Sequence, residues 1–576
     1  MVIVIGYTSC NHNEDISPQE TNIENSEKIV LGKKLQNPYS IENMTKAIEK
    51  VRPSKLKSEG SLVANFLYVR FLPMNFDEME ILNNDTLLSL YNYPLDYEIV
   101  KMGQSYHDPN IPKNQITWQY TVVPSDYTFP SITYEILDYI YIPTKDEYDI
   151  EKEALILTNN YNQDTSLHLK ADIVPSGQIL IQDDVFNKDV PAIRVKVRAR
   201  NWFRIDNVYT NSEGNFKMTE EFNGPVDIKL IFENEHARIR STLINITGSA
   251  DVSVANEVKT LHLVLSRRNR NTSTNPIPSG YRNYVDDHVW SWATVSNAIE
   301  EYRNICNFYG VGLPSNDIRV WVHRNDKSNT SSMSGAAPML QGSVNWYNIN
   351  TDKWYDYFSN VLWIPASNTI GNLFSVFAPD IVITYGSEVV SSEGLCELVF
   401  HEFSHASHYN KVGSGYWGNY INYIVSNNGY GNGLAKDADL CALGEMWGYH
   451  IGWQYTRYKY GNLAKVSINA TDNFTPQRKG FESIITYVNS NNIIVRFESW
   501  IPAGILLDLQ DNTTDIVRVN NGEFLIDNAS NYSNRLFFNA LDSDIKSPQA
   551  FKIRLLQENS NLNQTEVNSL FQTYFY

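Results

Sequence analysis

The chain has 576 residues, too many for one ordinary core, so several folded units are expected. Hydrophobic residues make up 42% and charged residues only 19%, with 36 Tyr and 12 Trp, which is a globular composition and not a disordered one. A net charge of −18 and the lack of any Lys/Arg run exclude a nucleic-acid footprint.

Met1 to Ser9 is an apolar run ending in small residues just before Cys10, after which Asn11-His12-Asn13-Glu14-Asp15 turns sharply polar. It resembles the end of a bacterial lipoprotein signal peptide. The run has no basic residue, is short, and carries Tyr7 where a lipobox prefers Leu. The resemblance implies a leader remnant over 1–10, a lipid on Cys10 and a protein tethered to a membrane only through that anchor. No other stretch reaches the roughly 18 uninterrupted apolar residues of a spanning helix. Cys306, Cys396 and Cys441 sit in apolar or helical contexts and form no disulfide framework.

Residues 11–60 are dominated by Asn, Glu, Ser and Lys, with one short helix expected at Ile41–Val51, and read as a polar tether. Alternating, aromatic-rich stretches follow, among them Phe66–Leu72 and Thr133–Tyr141, separated by Pro and Asn turns; residues 61–166 read as a β-rich N-terminal domain. Over 167–250 strands are expected at Gly177–Ile181 and Val190–Val197, with a tight turn from Tyr209 to Phe216 into another. The order Gly-x-Ile, Val-Pro-Ala-x-Val-x-Val, Thr-Asn-x-x-Gly-x-Phe resembles the carboxypeptidase regulatory-like domain, which implies a transthyretin-like β-sandwich acting as an accessory or spacer module.

Residues 251–576 read as an α+β lobe. Apolar residues recur at helical spacing over Asp287–Phe308, Asp317–His323 and Asp380–Tyr385 read as strands, and Ser391 opens a helix that runs past a His-Glu pair to Gly413. On that helix His401 and His405 stand four apart and project from one face, where two neutral imidazoles can reach one zinc ion. Glu402, beside the first of them, is placed to take a proton from a metal-activated water and return it to a leaving amine. The chemistry is peptide hydrolysis without a Ser or Cys nucleophile. Phe400 and Phe403 flank this trio in an amphipathic helix after a strand, where the His-Glu-x-x-His pattern belongs.

A catalytic tetrahedral site needs one more protein ligand. His408 lies only three residues beyond His405, and with His at 408 and Lys at 411 the metzincin spacing is absent. Downstream, Asp437, Asp439 and Glu445 compete. Glu445 sits among Ala442, Leu443, Met446 and Trp447, where a buried carboxylate wants a cation. The arrangement resembles a gluzincin, which implies His401, His405 and Glu445 as ligands and Glu402 as general base. Gly444-Glu445-Met446 departs from the usual pairing around that ligand and leaves Asp439 as the rival. Between the two helices, six glycines over 413–433 with Tyr416, Trp417, Tyr420, Tyr423 and Tyr430 read as an aromatic loop, and further helices are expected at Ile501–Leu509 and Thr565–Tyr574.

Taken in order, leader, β-domain, sandwich and lobe resemble the zinc-binding lipoproteins of Bacteroidetes. That resemblance implies a monomeric cell-envelope, surface or secreted peptidase acting on extracellular protein, peptide or glycoprotein. The rival reading is a surface protein that binds a glycan or protein partner and holds zinc for structure alone.

Overall fold

A computed structural model describes residues 29–55, 60–101, 106–112, 115–161, 174–222, 226–240, 251–255, 260–268, 276–325, 333–341, 353–354, 357, 378–386, 391–431, 433–464, 500–511, 529–574 and 576, with short strands at 486–488, 494–496, 516–518 and 524–526. The expected lipidation residue, Cys10, and the leader around it lie outside the described residues. The chain is mixed α/β, with several separate sheets and helices gathered mainly in its C-terminal half. None of the described helices is long and apolar enough to cross a membrane.

In the N-terminal part, strand Phe66–Leu72 lies between Gln119–Pro124 and Thr133–Ile140, antiparallel to both. The helix Ile41–Val51 forms within its expected bounds, started by the Ser40 side chain accepting from the Asn43 backbone. The tether reading of 11–60 needs correction. Residues 29–55 are folded: strand Val30–Lys34 pairs with Tyr97–Lys101, and Met44, Ala47 and Ile48 are buried in one cluster with Tyr39, Tyr68 and Ile150. Those three apolar residues recur at helical spacing, and a stripe of that kind is buried in preference to solvated.

Two sheets follow. One has the order Asn215–Lys217, Ser176–Asp183, Thr260–Ser266, Arg282–Val285, with Lys188–Pro191 also pairing Ser176–Asp183; the other runs Asp251–Ala255, Asp227–Ile231, Lys196–Asn201, Arg204–Tyr209. Their apolar residues, including Ile179, Val197, Ile228 and Leu263, belong to one continuous core. The expected strand Val190–Val197 is broken in two, each piece in a different sheet. Pro191 has no N–H to continue a ladder, and Arg194 adopts φ 56°, which turns the chain out of the sheet. Strands on both sides of residue 250 share these sheets.

A further four-stranded sheet has the order Ala237–Arg240, Ile318–Asn325, Ile381–Gly386, Met333–Ala336; the first three are parallel and the last antiparallel. Helix Asp287–Tyr309 packs beside it, capped by Asp286 at its start and by Gly310 at φ 69°. Ser392–Val412, here the His helix, runs against Ala438–Tyr460, the Glu helix. The expected aromatic loop is instead largely a helix, Ser414–Ser426, because Tyr416, Trp417, Tyr420, Tyr423 and Ile424 repeat at helical spacing and are all buried. Near the C-terminus the expected helix at Ile501–Leu509 shortens to Ile505–Asp508, and the terminal helix spans Gln564–Thr573.

Candidate metal centre

Ser391 starts the His helix by accepting from the Gly394 backbone, and Gly413, at φ 80°, ends it. Its core-facing stripe turns His401 and His405 toward the Glu helix, which presents Glu445. All three are buried, at 9%, 2% and 3% exposure. The His401 Nε2 atom lies 3.2 Å from His405 Nε2 and 3.2 Å from Glu445 Oε2, while His405 Nε2 is 3.7 Å from Glu445 Oε1. A tetrahedral ion with legs of about 2.05 Å separates its ligands by about 3.3 Å, so the spacing of these donors suits a small divalent cation. Among the described residues they form one group of metal-capable side chains, with ligand atoms all within 4.8 Å of one another.

The closeness of the helices depends on glycine. A Cβ on Gly448 would stand 2.8 Å from His401 Nε2 and 2.9 Å from His405 Cε1, and one on Gly452 would stand 3.1 Å from His401 Cβ. Gly448→Ala is therefore expected to push the imidazoles off Glu445 and to weaken metal retention, with an overpacking cost of about 1 to 3 kcal/mol. Metal content after dialysis, compared with wild type, checks this; equal retention would show that the site relaxes freely.

Three tyrosines surround the acid. The Tyr420 hydroxyl donates to Glu445 Oε1 in a very short hydrogen bond, Tyr430 donates to Oε2 at 2.8 Å, and Tyr449 donates to the Tyr430 oxygen at 3.2 Å. The Tyr449 ring meets His401 edge-on at 4.8 Å. Burial pushes the Glu445 carboxyl up, but the His405 and His401 imidazoles outweigh it and hold the group well below the usual carboxylate range. Burial raises Tyr420 and Tyr430, and the Glu445 charge adds to it, so both stay protonated donors. None of these three roles was legible from sequence, although the helical repeat of Tyr416, Tyr420 and Tyr423 signalled a buried face.

Glu402, 4% exposed, lies beside strand Met333–Ala336, where a Cβ on Gly335 would come within 2.3 Å of its Oε1 and 2.8 Å of Leu398 Cδ1. Burial raises its carboxyl to about 8, with the Glu445 charge adding to the rise and His401 opposing it. With His401, His405 and Glu445, Glu402 lines a small cleft of about 30 Å³ whose apolar wall includes Trp354, Tyr357, Ile421, Ile424 and Val425.

Asp439 is exposed in the first turn of the Glu helix and is not brought to the imidazoles. His408 is fully buried but faces Tyr416 and Trp417, and neither ring nitrogen has a hydrogen-bond partner among the described residues. Burial, with the His405 and Lys411 charges, pushes its pKa from 6.5 down to about 3. The unfolded chain takes up a proton there as pH falls through about 6.5 and the folded chain does not, so stability is whole above 6.5 and is lost from there down to about 3. At pH 5 that loss is about 2 kcal/mol. Urea midpoints at pH 7.5 and 5 should therefore diverge less in His408→Phe than in wild type; equal divergence would remove His408 from the acid response.

Comparison of the chain with protein-family models, with curated proteins and with solved structures gave no match.

Proposed function

We propose that the protein is a zinc-dependent peptidase of gluzincin-like type, with His401, His405 and Glu445 as ligands and Glu402 as general base. One observation carries the reading: a fourth buried side chain, the Glu402 carboxylate, shares the cleft with a three-donor cation site. A purely structural zinc site is closed by its ligands and has no use for a base beside them. When bound, zinc supplies a Lewis acid that lowers the pKa of water to about 7 and polarises a peptide carbonyl. Glu402 accepts the proton of the attacking water and returns it to the departing amine. Tyr420 and Tyr430 hold the Glu445 oxygens in place, and the apolar wall limits water at the site. By its resemblances the substrate is extracellular protein, peptide or glycoprotein.

The test is metal analysis of the full-length protein followed by a peptide-library screen. Bound zinc, cleavage that stops with a chelator, and recovery on adding zinc are expected. A protein without zinc that gains none on addition overturns the reading, and one that holds zinc but cleaves nothing favours a structural metal in a binding protein. The leader resemblance supports a cell-envelope location through a lipid on Cys10; equal detergent partitioning of wild type and Cys10→Ser would reject that anchor.

A further inference from the structure

The turn that leaves strand Ser176–Asp183 reaches the two helices that carry the candidate ligands. Asp183 is 2% exposed. Its Oδ1 accepts from the backbone of Val185 and Phe186, each at 3.0 Å, and lies 3.0 Å from Ser392 Oγ, while its Oδ2 accepts the Tyr460 hydroxyl at 3.0 Å. Next to it, Asp184 Oδ1 accepts from the Ser392 backbone at 2.8 Å and from Ser392 Oγ at 2.5 Å, and the Asp184 backbone donates to Ser392 Oγ at 3.2 Å, so the two carboxylates share the one hydroxyl hydrogen of Ser392. Ser392 is the first residue of the His helix and Tyr460 the last of the Glu helix. One buried carboxylate therefore touches both helices, 277 residues before Tyr460 in the chain. The Phe186 ring packs on that of Tyr460 at 4.9 Å, and Cys396 Sγ lies 3.5 Å from the Tyr460 hydroxyl, so the junction is closed by apolar groups as well.

Gly448 and Gly452 let the helices approach closely; midway along them Trp447 Nε1 donates to the Ser404 carbonyl at 3.3 Å and the Phe400 and Tyr455 rings meet edge-on at 6.1 Å, and Asp183 adds a polar tie at the far end of both helices. A slip of one residue moves a helix by about 1.5 Å, whereas metal–ligand distances tolerate only about 0.2 Å. Two carboxylates at the start of the His helix also face its positive end, which favours the contact.

We propose that Asp183 is a positioning residue, whose carboxylate pins the start of the His helix to the end of the Glu helix and so sets the register in which Glu445 meets His401 and His405. The strand unit that supplies it is thereby part of the metal centre's frame, more than the spacer its resemblance implies. The proposal rests on reading those three residues as a metal site.

The experiment titrates metal-stripped full-length protein with Co²⁺ and follows the visible absorption of the tetrahedral ion. Asp183→Ala is expected to lower Co²⁺ affinity by about 10- to 100-fold and to weaken and shift the absorption. Tyr460→Phe, which removes only one hydroxyl, should give a smaller loss of the same sign. Asp183→Asn, which keeps an acceptor oxygen, should recover part of it. Val197→Ala, a cavity in the same unit away from the helices, should lower the thermal midpoint and leave affinity and spectrum as in wild type. Wild-type binding of Co²⁺ by Asp183→Ala and Tyr460→Phe overturns the pin, as does an equal loss in Val197→Ala. Should Asp183→Ala fail to fold, Tyr460→Phe decides alone. A wild type that shows no tetrahedral Co²⁺ signal overturns the metal-site reading itself, an outcome distinct from loss of the pin.

Discussion

Glu402→Gln is expected to keep its zinc and lose peptide hydrolysis by about 10² to 10⁴ in rate. The amide matches the carboxylate in size and can still fill the space against Gly335 and Leu398, so the wall of the cleft should stand. It has no basic oxygen to take a proton, so the water loses its acceptor and the leaving amine its donor. Because Glu402 is not among the three grouped donors, occupancy should be unchanged. Metal content and activity on any cleavable library peptide are measured together. A variant that loses both would make Glu402 a ligand or a packing residue, and one that loses neither would remove it from the chemistry.

Glu445→Ala should fail in the opposite way, with metal and activity lost together. Two imidazoles remain, and they hold zinc weakly without a third protein donor. The loss is enlarged by what the carboxylate leaves behind: Tyr420 and Tyr430 both donate to it, so truncation strands two hydroxyls in a buried site, at about 1 to 3 kcal/mol each. Asp439→Ala, at an exposed position, should retain both metal and activity. Metal titration of the two variants side by side checks the assignment. Should Asp439→Ala empty the site while Glu445→Ala leaves it full, the third ligand is wrong.

Much of this site could be read from local pattern because its first two donors share one helix. Four-residue spacing puts His401 and His405 on one face whatever else the chain does, and Ser391 and Gly413 bound that helix by backbone rules that act within a turn. Strand Phe66–Leu72 and helix Ile41–Val51 were legible for the same reason. Where the reading failed, a local signal pointed two ways. The six glycines over 413–433 suggested a loop, yet the aromatic repeat between them had a surface to bury against and became a helix. The polar composition of 11–60 suggested a tether, although three apolar residues sufficed to dock a helix.

The sequence by itself determined the donor types, the helical pairing of the two histidines, the carboxyl group between them and the apolar setting that made Glu445 the best placed of the candidate acids. Only the tertiary structure decided that Glu445 and not Asp439 meets the imidazoles, that Tyr420, Tyr430 and Tyr449 surround it, and that Asp183 reaches from a distant strand to both helices. The division follows the range of the forces. Helix periodicity and capping act between residues a few positions apart, whereas the contacts that complete the site join segments whose separation leaves no periodic trace and which meet only after the cores around them have packed.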